Sequence, residues 1–371
     1  MLPLSFPGPS PRFALSLAFP RKPLGGRMKI GILGLPQAGK TTIFQAAAGQ
    51  FASREERAGL VRRAVVKVPD QRLDVLQEFF GSPKKTPAQV EYLDLAFDLR
   101  EREGRGQELE RLLNELKPTA ALILVVRNFE LAGLPPEPQR ELDILHEEMI
   151  LSDLAIVERR LERLEKEVKK GKVPKEGELE LLYRARELLE QGQSLRVDRK
   201  LRESPLMRGY TFLSIKPLLV VINCGEETGP PELELPPQTE VMALKGRLEA
   251  DLTELSPEEA AIFREEYGLS EPALPRLIKK SFEILDLICF FTGGDKETRA
   301  WPVRRGTTAQ KAAGVVHSDM ERGFIRAEVI SFEELVSFGS YTKAQQAGRV
   351  RLEGKDYLVQ DGDVIFFRFK V

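Results

Sequence analysis

Apolar residues along the chain recur in short runs with the length and composition of β-strands, and helical patterns separate several of them. The strand-like runs cover 30–33, 64–68, 90–95, 120–126, 217–223 and 240–243. Two of them, 120–126 and 217–223, are apolar throughout, which is typical of central strands in a parallel sheet. Helical patterns cover 43–48, 72–80 and 107–116. This order predicts an α/β domain with a doubly wound, mostly parallel sheet, in which the polar stretch 51–59 is a loop.

A second kind of helical pattern interrupts the series of strands. Its apolar residues recur at spacings of four and three, with mostly Glu, Arg and Lys between them: Ile150, Leu154, Val157, Leu161, Leu164 and Val168. The segment 170–177 contains Gly and Pro and breaks the helix. A second apolar stripe follows, formed by Leu179, Leu182 and Leu189. The pattern predicts an inserted antiparallel helical hairpin, and two ordinary packed helices are the alternative.

From about residue 290 the chain changes to short β-runs joined by turns that contain Gly. The turns at 352–355 and 360–363 carry hairpin signals. We therefore divide the chain into four parts. These are an N-terminal extension at 1–27, an α/β domain at 28–144 and 203–282, the helical hairpin at 145–202 and a small β-rich domain at 283–371.

Residues 1–27 are rich in Pro and carry only positive charges, with one short apolar segment at 13–19 that ends before Pro20. No convincing small-residue cleavage site follows this segment, which argues against a signal or transit peptide. Met28 directly precedes the first core strand. We therefore expect a disordered extension, or an upstream start that is not the natural one.

The composition of the 371 residues excludes several classes of function. Charged residues make up 30%, hydrophobic residues make up 42% and the net charge is -1, which predicts a globular protein without a general polyanion-binding surface. No run of about 18 apolar residues occurs, so no membrane association is expected. Cys224 and Cys289 lack metal-ligand spacing, which favours a reduced, cytoplasmic protein. His146 and His317 show no metal or triad pattern, and we expect structural roles for both.

The stretch 29–42 carries the clearest chemistry. Gly34, Gly39, Lys40 and Thr41 match the pattern G-x-x-x-x-G-K-[ST], with a strand before them and a helix after them. The glycines let backbone N–H groups turn toward a phosphate, and the helix adds the positive end of its dipole. In this motif the lysine contacts the β- and γ-phosphates and the hydroxyl binds Mg²⁺. The sequence therefore predicts a P-loop that binds a nucleoside triphosphate.

Further segments resemble the Obg-like ATPase (YchF) family. They are 34–42, 68–73, 127–130, the helical hairpin, 299–302, 312–319, 323–329 and 352–363. The similarity extends from Met28 to Val371 in the family's domain order, and the tail resembles the family's TGS-type domain. The resemblance implies an Obg-related P-loop domain that binds ATP as well as or better than GTP, hydrolyses it slowly and associates with ribosomes.

Base recognition is also implied by the resemblance. The positions of the N-K-x-D motif of related GTPases hold Asn223, Cys224, Gly225 and Glu226. The amide of Asn223 still suits a purine, whereas Cys224 lacks the Lys stem that stacks over the base. Glu226 is one methylene longer than the Asp that binds guanine, which favours relaxed recognition of the base or a preference for adenine, with ATP favoured over GTP. The predicted nucleotide-binding residues are Gly34, Pro36, Gln37, Ala38, Gly39, Lys40, Thr41, Thr42, Asn223 and Glu226, and Mg²⁺ is assigned to Thr41 and, through water, to Asp94.

The positions that control hydrolysis depart from the family's pattern. The metal-side motif D-x-x-G keeps Asp94 but has Phe97 in place of the Gly that bends the switch toward the γ-phosphate. Asp98 stands where the family has a hydrophobic residue. The first switch loop contains Ser53 but no Mg²⁺-binding Thr, and Gln37 replaces the Asn that assists a monovalent cation. We therefore expect hydrolysis to be weak or absent.

Three functions remain open at this stage: a ribosome-associated ATPase with weak activity, a non-catalytic scaffold that holds nucleotide, and a slow GTPase. Contact with ribosomal RNA or protein is expected in the tail, where basic residues surround Trp301. These residues are Lys296, Arg299, Arg304, Arg305, Lys311 and Arg322. Trp301 itself is better explained as a half-buried core residue. Sequence-specific DNA recognition is not expected.

Overall fold

The structure, a computed structural model, describes residues 28–58, 61–95, 113–267 and 272–370, with the backbone alone at 47–58 and 257. The strands are β1 Met28–Gly34, β2 Ala52–Ala58, β3 Val61–Lys67, β4 Lys85–Thr86, β5 Gln89–Leu95, β6 Ala121–Asn128, β7 Leu218–Cys224, β8 Thr239–Leu244, β9 Leu287–Thr292, β10 Thr298–Arg304, β11 Phe324–Ser331, β12 Arg351–Glu353 and β13 Asp363–Phe369. The α-helices are α1 Lys40–Phe51, α2 Gln71–Phe80, α3 Pro138–Lys169, α4 Glu178–Glu190, α5 Arg199–Glu203, α6 Gly246–Leu252, α7 Pro257–Glu266, α8 Ala273–Glu283, α9 Ala309–Val316, α10 Ser318–Arg322, α11 Phe332–Phe338 and α12 Tyr341–Gln346. None of the described helices combines the length and the hydrophobicity that a membrane-spanning helix requires.

The α/β domain is organised around a sheet whose seven described strands follow the order β2-β3-β5-β1-β6-β7-β8. From β5 to β8 the neighbours are parallel, and β3 and β2 extend the sheet antiparallel at one edge. Separate apolar clusters cover the two faces of the sheet, so β6 and β7 are buried along almost their whole length. The predicted α/β class and mostly parallel sheet are confirmed.

The prediction of a loop at 51–59 is wrong. Ala52–Ala58 form β2, which pairs antiparallel with β3 at the edge of the sheet. An edge strand has a partner on one side only and exposes its other side, so a polar sequence is compatible with pairing. The pairing with β3 decides the conformation of this segment, and a short polar sequence does not reveal that partner.

The extension at 1–27, Phe97 and Asp98 lie outside the described residues.

Helix α3 runs from the α/β domain into the hairpin without interruption. Its first turns lie in the apolar cluster on one face of the sheet, through Leu142, Leu145 and Met149. Its later turns belong to a separate cluster shared with α4, through Ile150, Val157, Leu161 and Leu164. The boundary that we expect at residue 145 therefore falls inside one helix. The helical spacing of apolar residues continues where α3 passes from one apolar cluster to the other. The sequence pattern therefore does not reveal where the domain boundary lies.

The hairpin is fixed to the α/β domain by a buried carboxylate. Asp153 on α3 is completely buried, and its two oxygens accept the backbone N–H groups of Leu213 and Ser214 at 2.8 and 2.7 Å. These two residues lie in the return segment that leads to β7. The carboxylate therefore ties the first helix of the hairpin to the chain that re-enters the sheet.

The C-terminal domain is built on a second sheet with the order β12-β11-β13-β9-β10-β4. Its last strand, β4, comes from the α/β domain and pairs parallel with β10. Helix α2 adds a second connection, because Arg72 donates to Asp361 at 2.8 Å and its guanidinium lies over the ring of Phe291. The two domains thus share a sheet and an ion pair. Both cysteines are buried and free.

Candidate functional site

The predicted P-loop connects the end of β1 to the start of α1, at the carboxyl edge of the parallel strands. Gly34 lies against β6, where a Cβ would approach the carbonyl oxygen of Val125 to 2.5 Å. Gln37 and Gly39 adopt positive φ angles of 66° and 86°. Gly39 is suited to this conformation because it lacks a Cβ. The loop closes on itself through the hydrogen bond from Ala38 N to Leu35 O at 3.2 Å.

Lys40 folds back over this loop. Its Nζ donates to the carbonyl oxygens of Gly34 and Leu35 at 2.8 and 3.0 Å, and the residue is 6% exposed. Burial lowers the pKa of the ammonium group, and the charges of Asp94 and Glu141 oppose this shift. Among the described residues, Lys40 Nζ donates hydrogen bonds only to these neutral carbonyl oxygens. The buried ammonium group is therefore well placed to bind an anion, because an anion would offset the cost of burying its charge.

Thr41 and Asp94 lie next to each other beside Lys40. The Thr41 hydroxyl is 3.4 Å from Asp94 Oδ2, and Asp94 is fully buried at the end of β5. Asp94 Oδ1 has no hydrogen-bond partner among the described residues. Burial raises the pKa of this carboxyl, and Lys40, Arg62 and the hydroxyl of Thr41 oppose the shift. An unpaired carboxylate oxygen beside a hydroxyl fits a hard cation with oxygen ligands and bound water, such as Mg²⁺.

Asn223 holds the P-loop in place. Its Nδ2 donates to Ala38 O and its Oδ1 accepts from Gly246 N, both at 3.0 Å, and the residue is 4% exposed. A Cβ on Gly39 would lie 2.0 Å from Asn223 Nδ2. The side chain therefore clamps the P-loop to the first residue of α6, a role that the sequence analysis did not include. The contact joins residues 185 positions apart, and no local pattern encodes it.

A cavity of about 570 Å³ opens beside these residues. It brings together seven predicted site residues: Gln37, Gly39, Lys40, Thr41, Thr42, Asn223 and Glu226. Gly34, Pro36 and Ala38 form the adjoining loop, and Asp94 contacts the site through Thr41. Cys224 and Gly225, which belong to the predicted base-recognition segment, also line the cavity, and six further lining residues were missed: Phe129, Glu130, Leu131, Lys245, Arg247 and Leu248.

A topological rule identifies most of the missed residues. They follow β6 and β8, and the carboxyl ends of parallel strands meet at one edge of a sheet. Lys245 also supports the predicted base-recognition segment, since its Nζ donates to the carbonyl oxygen of Glu226 at 2.6 Å. Its position directly after the last parallel strand was the available signal.

Glu141 connects helix α3 to this site. Its Oε2 accepts the backbone N–H of Arg127 at 2.8 Å, and its Oε1 lies 3.4 Å from Arg127 Nε. Burial raises the pKa of Glu141, and the bonds from Arg127 and the charge of Lys40 oppose the shift. The start of α3 therefore carries a buried carboxyl group whose charge acts on the P-loop lysine.

The other candidates lie outside this cavity. His146 shares a hydrogen bond of 2.6 Å with the hydroxyl of Ser194, and His317 accepts Asp319 N at the start of α10, so both have structural roles. The indole of Trp301 is half-buried against Phe290 and donates to the Thr292 hydroxyl at 2.8 Å. The described residues contain no group of three or more His, Cys, Asp or Glu suited to a metal.

We expect Asn223→Ala to loosen the P-loop. The change leaves the buried Ala38 O and Gly246 N without their partner, which should lower the free energy of unfolding by about 1–3 kcal/mol. Nucleotide affinity should fall about tenfold because the loop is no longer held in its binding conformation. Denaturant unfolding and calorimetric titration measure the two effects.

Asn114→Ala is the matched control, since Asn114 is exposed and bonds only to the nearby Lys117 among the described residues. It should leave nucleotide affinity unchanged. An Asn223→Ala protein with the affinity and stability of the parent chain would contradict the clamp.

Comparison with known proteins agrees with this geometry. A family model for YchF-type C-terminal domains, described as "Protein of unknown function (DUF933)", matches residues 287–370. The ribosome-binding ATPase YchF of Haemophilus ducreyi is 37% identical over 369 residues, which cover 92% of this chain and 99% of that protein. The Obg-like ATPase 1 of Bos taurus is 32% identical over 370 residues and covers 93% of both chains.

A solved structure shows the same architecture. The YchF GTPase of Schizosaccharomyces pombe matches with a TM-score of 0.77 and 25% identity, over 92% of this chain and 98% of that one. Sequence and structure thus agree from the P-loop through the hairpin to the C-terminal domain. The chain belongs to the YchF family of Obg-like ATPases.

Proposed function

We propose that the protein binds ATP together with Mg²⁺, in preference to GTP, and acts in the cytoplasm in association with ribosomes, with weak or absent hydrolysis. The observation that carries the proposal is the arrangement of Lys40, Thr41 and Asp94 around the P-loop. A buried ammonium group, a hydroxyl and a carboxylate oxygen without a partner among the described residues converge beside one cavity.

The P-loop residues supply the phosphate contacts. Lys40 is positioned to exchange the carbonyl oxygens of Gly34 and Leu35 for phosphate oxygens, which are stronger acceptors for an ammonium group. The Thr41 hydroxyl would hold Mg²⁺ directly, and Asp94 would hold it through water. The metal would supply charge neutralisation for the phosphates. The N-terminus of α1 adds its dipole on the same side.

The purine would lie in the part of the cavity lined by Phe129, Leu131 and the segment Asn223–Glu226. Glu226 is exposed at this cavity, and its backbone carbonyl is held by Lys245. Its carboxylate would accept a hydrogen bond from the amino group of adenine. Cys224 is buried and offers no long stem over the base, which supports the preference for adenine over guanine.

The ribosome is proposed as a partner because relatives that match over 92% of this chain are named ribosome-binding ATPases. The basic tail is the part that we expect to make this contact. Trp301 contributes through packing, since Arg299 lies 4.0 Å over its ring and Phe290 stacks against it. The positive side chains around it are therefore better candidates for RNA phosphates than the indole is for a base.

A non-catalytic scaffold that holds nucleotide is the second candidate. Phe97 favours it, because a bulky residue replaces the Gly that lets the switch approach the γ-phosphate. Phe97→Gly tests this point directly. If the rest of the switch is competent, ATP turnover should rise by about tenfold.

The deciding experiment is calorimetric titration of the full chain with ATP and GTP in the presence of Mg²⁺. A phosphate-release assay on the same sample follows, with and without K⁺ and ribosomes. Tighter binding of ATP with release stimulated by ribosomes is the expected result for the ATPase. Binding without release under any condition supports the scaffold, and no binding at all contradicts both.

A further inference from the structure

A second cavity of about 520 Å³ lies at the amino ends of the strands, at the opposite edge of the sheet from the P-loop. It is found where β7 and β8 begin, whereas the P-loop and the nucleotide cavity lie at the carboxyl ends of the strands. Its walls come from the base of the hairpin, the segments that enter β7 and β8, and the turn after α8. The hairpin, the parallel sheet and the turn after α8 therefore meet at this cavity.

Two enclosed arginines line this second cavity. Arg196 is 2% exposed, and its Nε donates to Ser214 O at 3.1 Å, but Nη1 and Nη2 have no hydrogen-bond partner among the described residues. Arg202 is 8% exposed, and its Nε and Nη1 also lack a partner there. Four guanidinium nitrogens are thus buried without an acceptor. Such groups are unfavourable in a folded protein unless something binds them.

The acidic groups nearby are occupied by other partners. Asp153, whose charge acts on Arg196, already accepts two backbone N–H groups. Glu240 and Asp286 line the cavity, but they pair with Lys280 and Arg305 at 3.0 and 3.3 Å. The remaining lining carboxylate, Glu283, is exposed. No carboxylate of the described residues therefore forms a direct ion pair with either guanidinium group, although the charge of Asp153 acts on Arg196.

Other lining groups suit the same kind of ligand. Thr239 Oγ1 is buried without a partner among the described residues, and Lys216 Nζ donates to the carbonyl oxygens of Lys117 and Thr119. Burial lowers the pKa of Arg196 to about 10 and that of Lys216 to about 8. An anion would oppose both shifts. Apart from Gln238, the rest of the wall is apolar: Ile215, Pro217, Leu218, Leu235, Pro236, Pro237 and Ile284.

We propose that this second cavity binds a small phosphorylated molecule, whose phosphate contacts Arg196 and Arg202 and whose organic part lies against the apolar wall. The planar guanidinium group matches a phosphate with two parallel hydrogen bonds. The volume is within the range of small-molecule sites, about 300–1,000 Å³. Nucleic acid is the weaker candidate, because its backbone is contacted by accessible cations and these arginines are enclosed.

The test must separate this cavity from the P-loop, which also binds phosphate. Full-length Lys40→Ala protein serves as the background, and calorimetry with phenyl phosphate and with inorganic phosphate measures binding. We expect one site per chain. Phenyl phosphate should bind about tenfold more tightly than inorganic phosphate, because its ring buries apolar surface. Repeating the titration on the parent chain saturated with a non-hydrolysable ATP analogue should give the same affinity.

Arg202→Met in the same background should weaken phenyl phosphate binding about tenfold or more, because a charge-assisted hydrogen bond is lost. Met keeps much of the side-chain volume and removes an unpaired charge, so the thermal midpoint should not fall. Arg199→Met is the matched control. Arg199 lies on the same helix, is exposed and pairs with Glu203 at 2.7 Å, and its loss should leave the affinity unchanged.

Several outcomes would overturn the proposal. They are the absence of phosphate binding in both backgrounds, equal affinity before and after Arg202→Met, and binding of a short RNA where both small phosphates fail. Equal affinity for phenyl phosphate and inorganic phosphate would refute the apolar part of the site. If Arg202→Met does not fold, Arg202→Lys replaces it, since Lys keeps the charge and loses the two-pronged geometry.

Discussion

Lys40→Ala is expected to lower the affinity for ATP by about 100-fold or more, since it removes a charge-assisted contact to phosphate worth about 1.5–3 kcal/mol and the attraction of a partly desolvated ammonium group. Lys40 is 6% exposed, and its ammonium group donates to two P-loop carbonyl oxygens. The ammonium group therefore lies where the phosphates would bind. Calorimetric titration with ATP and Mg²⁺ measures the loss.

The same substitution should change the free energy of unfolding by only about 1 kcal/mol, because removal of a buried charge offsets the lost hydrogen bonds. Lys29→Ala is the matched control. Lys29 belongs to β1, just before the P-loop, and its Nζ lies 3.8 Å from Glu91 on the neighbouring strand. That variant should bind ATP like the parent chain. If Lys40→Ala bound ATP with undiminished affinity, the phosphate site would lie elsewhere.

Gly39→Ala should lower both stability and nucleotide affinity. Gly39 has a φ angle of 86°, and a Cβ there would lie 2.0 Å from Asn223 Nδ2. The backbone conformation alone costs an L-residue about 1–2 kcal/mol. The clash also forces Asn223 away from Ala38 O, which leaves a buried acceptor unpaired. We expect the free energy of unfolding to fall by about 2–4 kcal/mol and ATP affinity to fall at least about tenfold.

Gly306→Ala separates strain from clash. Gly306 has a similar φ of 80°, but an added Cβ there meets nothing within 4 Å, so only the conformational cost applies and ATP affinity should be unchanged. A double-mutant cycle with Asn223→Ala isolates the contact, because the shorter side chain removes the clash. The two substitutions should therefore be less harmful together than the sum of their separate effects. Strict additivity would show that Gly39 and Asn223 act independently.

The sequence by itself determined the parts of this protein that local physics encodes. Continuous apolar runs identified β6 and β7, because a strand covered on both faces needs apolar residues throughout. The spacing of Gly34, Gly39, Lys40 and Thr41 identified the phosphate loop, because each residue type there has a separate physical task. The three-and-four spacing identified the helices of the hairpin, since that period keeps one face apolar.

The tertiary structure decided everything that depends on which distant segments meet. Three features join segments that are distant in the sequence, and no local sequence pattern predicts that these segments meet. They are the clamp from Asn223 to Ala38, the lining residues Phe129 and Lys245, and the pairing of the polar strand β2. The enclosed Arg196 and Arg202 belong to the same class. Arginine in a polar stretch normally predicts a solvated surface. Only the packing of the hairpin base against the sheet and the turn after α8 buries these two side chains around a cavity.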